Sequence, residues 1–472
     1  PLRSGYANVG ATASGSLTAP SVNGAMVLDR AKYSRYLVGG DAAFAYSGDR
    51  LDVRNAMIGM GPAFVAVDGS IAGVRMGSPI LPQYDLNASL HAADAHELVA
   101  FAQPKLARQY IEGSIDANAH VGGAGRVPAV SGSFDVPEGS VHGLAFRNLS
   151  GTLRGTAQNF NVSGGHVTVG STAVAFNAAG GAGAMRAGIS APNANLADFN
   201  DYFDAGDTIA GTGHLALNVD TSGQNIQSSG NVNLANVRFH QFNIGNTAAS
   251  WQTAGRTLAL NANVNGAAGR AHVAGTVALA PMRSVAQLAT NAGVNMTATV
   301  RGVDLGTWLP LFGMTAPVTG HIDADATARG RYPDVSLSAR ASVVNGVVGR
   351  VQIQQAQLAL TTDRGRGQIQ QAVVRIPYLT AQGSGTFGLH ANDPLQIAMH
   401  AASPDVGKLM TTVSGKTNQV SGTLDTTLQV SGTRADPQLR DDFTLASLHY
   451  AKFVVPKVWG TLAGNKRTIA LQ

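Results

Sequence analysis

The 472-residue chain contains no cysteine. That excludes a disulfide framework, thiol catalysis and thiolate-held zinc, and it suits an oxidising compartment, where a stray thiol is a liability. Charged residues make up 13%, about half the usual ~25%. Lys and Arg together number 33 against 28 acidic residues, and aromatics are 6%. With no basic run interleaved with aromatic residues, there is no footprint of nucleic-acid binding. No run of about 18 apolar residues occurs, so nothing here reads as a membrane-spanning helix. No signal peptide opens the chain. Position 1 is not Met and Thr468-Ile469-Ala470-Leu471-Gln472 reads as mid-strand, so the sequence is expected to be a segment whose membrane anchor, if any, lies outside it. Disorder is excluded by 44% apolar residues and a net charge of only +5.

What the chain has is glycine, 57 residues, and period-2 alternation. In His321-Ile322-Asp323-Ala324-Asp325-Ala326-Thr327-Ala328-Arg329 the apolar residues take every even position. In Asp334-Val335-Ser336-Leu337-Ser338-Ala339-Arg340-Ala341-Ser342-Val343 they take every odd one. His214–Asp220 and Leu424–Val430 follow the same rule less strictly. Successive side chains of a strand point to opposite faces, so each segment carries one apolar and one polar face. One wet face argues for antiparallel pairing. Gly- and Asn-rich punctuation about every ten residues supplies the turns, which predicts roughly 35–40 strands.

Three markers repeat. A strand start of the form G-x-h recurs at Gly113, Gly213, Gly320 and Gly422, spaced by 100, 107 and 102 residues. A Gly, a short loop, a Pro and a new strand follow as Gly15…Pro20, Gly123…Pro128, Gly330…Pro333 and Gly432…Pro437, while the unit starting near Gly213 lacks the Pro and has Gly223…Ile226 instead. Before each start stands a short apolar cluster opened by aspartate: Asp94 to Tyr110, Asp198 to Phe203, Asp304 to Phe312 and Asp405 to Met410. Aspartate is a good helix N-cap, because its carboxylate accepts the unpaired N–H groups of the first turn. The expected organisation is five repeat units, 1–93, 94–197, 198–303, 304–404 and 405–472, the first and last partial. Each holds a short helix followed by seven to nine strands. A period near 100 is too long for a solenoid coil and suits a long meandering sheet whose units pair edge to edge.

Every strand's apolar face must be covered, and the helices are too few to do it. The predicted fold is all-β: an elongated antiparallel sheet curled into an open gutter with its apolar faces inward. Its best-supported lining residues are Leu215, Leu217, Val219, Ile322, Val335, Leu337, Val343, Leu424, Leu428 and Val430.

Val430-Ser431-Gly432-Thr433-Arg434-Ala435-Asp436-Pro437-Gln438-Leu439 resembles the repeat signature of AsmA-like and TamB-like envelope proteins. Gly15-Ser16-Leu17-Thr18-Ala19-Pro20-Ser21-Val22-Asn23-Gly24 matches it more fully, and the Asp-headed helix before G-x-h is similar too. As repeats, the resemblance covers essentially the whole chain. It implies a U-shaped sheet (a β-taco) in the periplasm of a diderm bacterium, held to the inner membrane by an N-terminal anchor absent here. Its groove would carry phospholipid acyl chains toward the outer membrane. TamB-like members are also linked with outer-membrane protein assembly through a barrel partner, which a C-terminal domain absent here would engage. A structural or adhesive surface protein is the other rival, though such proteins show coils of about 18–25 residues rather than this period.

Chemical motifs are weak beside this pattern. Gly415-Lys416-Thr417 ends like a phosphate-binding loop, but the required upstream Gly is Met410, so a turn is the reading. His96-Glu97 begins like a zinc-protease helix, but the second His position is Ala100. Asp198, Asp201, Asp204 and Asp207 lack the alternating, Gly-containing spacing of a calcium loop and read as a capped, solvated helix end. The 12 His are scattered. Trp251, Trp308 and Trp459 read as packing or rim residues. Neither catalysis, nor a cofactor, nor a metal site is expected.

Overall fold

A computed structural model describes the chain except for residues 1, 17–18, 34–35, 62, 75–80, 97–110, 142, 157, 201–208, 223–224, 241, 268, 279–292, 310–317, 332–333, 391, 434, 466–467 and 472. It is all-β and antiparallel, an open sheet with 29 described strands. By contact density it divides into two units, Pro1–Leu234 and Ala235–Gln472.

In the first unit β1–β6 are Leu2–Ser16, Ala19–Tyr33, Tyr36–Ser47, Arg50–Met60, Ala63–Ala72 and Gln83–Ala92. β7 (Ile111–Gly113) and β8 (Ile115–Ala124) both pair with β9 (Ala129–Val141) and act as one broken strand. β10–β13 follow as Leu144–Thr156, Asn159–Val169, Thr172–Gly181 and Ala184–Asn195, then β14, Ile209–Ser222. β15, Asn225–Phe239, straddles the division. In the second unit β16–β19 are Phe242–Ala254, Thr257–Gly266, Gly269–Ala278 and Gly293–Asp304. β20–β25 are Val318–Arg331, Asp334–Val348, Val351–Asp363, Arg366–Ile376, Leu379–Gly388 and Leu395–Ser403. β26–β29 are Val420–Gly432, Pro437–Tyr450, Phe453–Gly464 and Ile469–Leu471. Within each unit a strand has substantial contacts only with the strands that flank it in the ladder.

Among the described residues a repeat holds six strands, counting β7 and β8 as one, against the seven to nine expected, and the described strands number 29 against 35–40. The strands are longer than the turn punctuation suggested, mostly 10–15 residues. Many internal Gly and Asn residues mark β-bulges, not turns. The register slips at 28/31 in β2, 53/56 in β4 and 191/194 in β13, and in the second unit at 300/303 in β19 and 369/372 in β23. Non-Gly residues with φ > 0 sit at several such jogs, including Arg30, Asn55, Asn345 and Ser447. A bulge bends its strand and increases its twist, so a row of them curls each unit along one line. The N–H groups freed there are paired: Asn55 N donates to Asp68 at 2.6 Å and Gly302 N to Asp323 at 2.7 Å.

Short helical elements recur at the ends of β13, β19 and β25, and six reversals return each to the same end of the strands within its unit. α1 (Leu305–Trp308) is capped by Asp304, and α2 (Val406–Ser414) by Asp405. Asp94 accepts from His96 N at 2.8 Å; the rest of that expected helix lies outside the described residues, as do Asp201, Asp204 and Asp207. Asp198 departs from expectation. The cap of the 3₁₀ turn Leu196–Phe199 is Asn195. Asp198 instead accepts from Ser171 N, Ser171 Oγ and Thr172 Oγ1 at 2.9, 2.9 and 2.7 Å, tying the β11–β12 turn to the helical turn. Gly415 ends α2 in the left-handed conformation, the ordinary helix stop.

The Asp304 cap carries a pH-dependent prediction. The Thr307 hydroxyl (2.6 Å) and its N–H (2.8 Å) both donate to Asp304 Oδ2, and these bonds hold the carboxyl below its ordinary value. A carboxyl depressed in the folded state stabilises above its unfolded value and loses that contribution as pH falls through the folded one. Asp304→Ala is expected to cost about 1 kcal/mol at neutral pH, and less once pH falls through the depressed value. Urea unfolding at both pH values checks this; an unchanged difference would show that the carboxylate is not the stabilising form.

Candidate functional site on the apolar face

Directly opposed residues in an antiparallel ladder share a face, so each unit's faces can be traced across its strands. In the first unit one row runs Ala56, Val67, Ala88, Ala119, Gly132, Leu153, Val162, Ala178, Ala187 and Val219. A neighbouring row ends Phe176, Ile189, Leu217. In the second unit a row runs Ala249, Ala262, Val273, Ala298, Ala326, Ala339, Leu360, Ile369, Gly385, Ile397, Val430 and Leu439. The other face is polar, with cross-strand pairs such as His91–Asp116 (2.6 Å), Arg186–Asp220 (2.7 Å), Arg301–Asp325 (2.6 Å) and His400–Asp425 (3.0 Å).

The ten residues expected to line the gutter are all half-buried, and their ladder partners are as follows. Leu215, Leu217 and Val219 oppose Ala191, Ile189 and Ala187. Ile322 lies between Val303 and Val343, Leu337 between Ala328 and Thr362, and Val335 faces Gly330. Leu424 lies between Ser403 and Leu445, Leu428 between Met399 and Asp441, and Val430 between Ile397 and Leu439. Three therefore share the first unit's face and seven the second's.

Among the described residues that face has no second layer within either unit. Among the described residues thirteen apolar side chains are buried, and eight of these are alanine. Large apolar side chains are instead half-covered by neighbours on their own face. In β17, Leu258, Leu260, Ala262 and Val264 are half-buried while Thr257, Ala259, Asn261 and Asn263 are exposed. One buried cluster does form in the first unit, where Val136, Phe146 and Val169 meet Ile115, Leu144 and Phe199. Phe199 comes from the 3₁₀ turn, so the helical element plugs the end of the apolar face.

Two features of this face were not anticipated. Asp441 interrupts it between Leu428 and Leu462, with its carboxylate accepting from the Thr426 hydroxyl. Trp251 stands on it opposite Leu260, whereas Trp459 is on the polar face opposite Thr444; the Trp308 side chain lies outside the described residues. An open depression on the polar face is lined by Asp68, Asn87, His120 and Ser131 together with Ala66, Ala88 and Ala119. No group of three or more potential metal ligands occurs among the described residues, and no described helix is long and apolar enough to cross a membrane.

Fold and site together define a class: an open, repeat-built antiparallel sheet with one apolar face that the described residues of each unit leave uncovered. Comparison with protein-family models, curated proteins and solved structures gives no match.

Proposed function

We propose that the chain is a segment of a lipid-conducting β-groove protein similar to the AsmA-like and TamB-like proteins, with no enzymatic activity of its own. The observation that supports this most is the uncovered apolar face, Leu-, Val- and Ile-rich yet only half-buried, backed by a solvated polar face. Leaving such a face in water is unfavourable by about 25 cal/mol per Å², so it calls for an apolar occupant. A phospholipid acyl chain fits: each CH₂ kept out of water is worth about 0.8 kcal/mol, and the head group stays in water at the open side. Sites of similar affinity from strand to strand allow one-dimensional diffusion, with direction supplied by a partner or a gradient. On this reading the segment lies in the periplasm of a diderm bacterium, with the full-length protein anchored to the inner membrane.

Native mass spectrometry with lipid extraction, on protein purified from a bacterial host, tests the proposal. The expected result is several phospholipids bound per chain. A folded, lipid-free protein would overturn it and favour a role as an assembly scaffold for outer-membrane proteins.

A further inference from the structure

Charge is unevenly divided along the chain. Residues 1–234 hold 13 Lys and Arg against 17 Asp and Glu, whereas residues 235–472 hold 20 against 11. In the second unit the excess reaches the polar face of five neighbouring strands, β19–β23, where Arg301, Arg329, Arg331, Arg340, Arg366 and Arg375 are all exposed. Four aspartates of these strands share that face. Asp325 is held by Arg301 at 2.6 Å, Asp323 accepts from Gly302 N at 2.7 Å, and Asp363 accepts from the Ser336 hydroxyl at 2.7 Å. The fourth, Asp334, opposes Arg331 where β20 ends and β21 begins.

Arg340 stands at the centre of this face. Asp325 lies directly opposite it in the ladder but belongs to Arg301, whose guanidinium also donates to the Val300 and Ala324 carbonyls at 2.8 and 2.9 Å. The Arg340 side chain has no hydrogen bond or ion pair among the described residues. Its partner on the other side is Ala359, with Gln371 beyond. The small side chain between two long ones leaves an open depression of about 590 Å³. Arg301, Arg340, Ser342, Gln357, Gln370 and Gln371 line it, beside Asp323, Asp325 and three apolar residues. An arginine fork matches the geometry of an oxyanion, and glutamine amides and a serine hydroxyl both donate and accept, as the hydroxyls of a sugar do. β19–β23 contain no aromatic residue. That argues against single-stranded nucleic acid, which uses stacking platforms, and against a bilayer surface, which uses Trp and Tyr anchors.

We infer that the polar face of β19–β23 docks an acidic polysaccharide, with Arg340 taking a sugar carboxylate and Ser342, Gln357 and Gln371 taking neighbouring hydroxyls. The face lies opposite the proposed lipid groove, so the inference does not depend on that reading, and Leu337→Asp should bind the polysaccharide as wild type does. Calorimetric titration with polygalacturonate oligomers tests it, with neutral dextran and polyglutamate as comparisons. Wild-type protein is expected to bind polygalacturonate, more weakly as salt is raised, and not to bind dextran. Arg340→Gln should weaken binding about tenfold or more, the loss of one charge-assisted forked pair. Arg340→Lys should recover little of that, because an ammonium lacks the fork. Arg154→Gln, opposite Ser131 on the first unit's polar face, should change nothing. Both arginines are exposed, and circular dichroism verifies the fold. Absence of polygalacturonate binding would overturn the inference, as would an equal loss in Arg154→Gln. Full affinity in Arg340→Lys, or equal affinity for polyglutamate, which has carboxylates but no hydroxyls, would overturn it by showing that charge alone is read. Binding to phosphatidylglycerol vesicles that Arg340→Gln abolishes would assign the face to a membrane instead.

Discussion

Replacing Leu217 and Leu337 together by aspartate is expected to lower the bound phospholipid at least about tenfold while leaving both units folded. A carboxylate against an acyl chain must be desolvated or displace the chain, and even about 1.4 kcal/mol of that penalty is a factor of ten. Leu217 lies beside Ile189 on the first unit's apolar face, and Leu337 between Ala328 and Thr362 on the second's. Each is half-buried, so truncation loses only part of the ~1.5–3 kcal/mol of a full leucine burial. The protein already tolerates this chemistry, because Asp441 stands on the same face between Leu428 and Leu462, held by the Thr426 hydroxyl. Native mass spectrometry reads the lipid count, and urea unfolding reads the fold. A folded double variant that keeps its full lipid complement would show that the lipid lies elsewhere. Ser133→Asp, on the polar face opposite Thr152, is the matched control and should change neither.

The strand pattern was legible because it depends on a local property. Alternation fixes which side chains share a face, and Ile322 and Val343 meet across β20 and β21 as that rule requires. Strand number was not legible. Asn55, Asn148, Asn345 and Gly302 look like turn residues, yet they sit inside strands with φ between 47° and 59°. A left-handed residue serves a bulge as well as a turn, and only the pairing register separates the two. Asp198 is a similar case. Its spacing from Asp94 and Asp304 suggested a cap, but Asn195 reaches the helical turn first. That frees the Asp198 carboxylate for Ser171 and Thr172, a contact 26–27 residues away in sequence that no local pattern encodes.

The repeat glycine gives the sharpest test of what sets the period. The G-x-h marker was aligned on Gly213, but the glycine that shares the backbone conformation of Gly113, Gly320 and Gly422 is Gly211. Their φ values are 129°, 147°, 128° and 141° for Gly113, Gly211, Gly320 and Gly422, and each is the third residue of the strand that opens its repeat. The local pattern Ile-Glu-Gly, Ile-Ala-Gly, Val-Thr-Gly, Val-Ser-Gly carries the signal. A Cβ at Gly320 would lie 2.6 Å from the Cα of Gly346, at the point where the β20–β21 register slips. Gly320→Ala therefore combines a strained φ, about 1–3 kcal/mol, with a clash against backbone that cannot rotate away. A loss of about 3 kcal/mol or more is expected. Because within each unit the described strands have substantial strand contacts only with their ladder neighbours, stability is close to a sum of neighbouring interfaces. The damage should therefore appear as local opening of β20 and β21, seen as faster amide exchange there, with the strands from β26 onward protected as before. Gly349→Asn is the contrasting change. Gly349 is also left-handed, at φ 61°, but nothing lies near its Cβ position, and asparagine tolerates that conformation, so only a few tenths of a kcal/mol should be lost. Equal losses in the two variants would mean that backbone conformation alone sets the cost, and that the close approach of Gly320 to Gly346 is not what spaces the repeats.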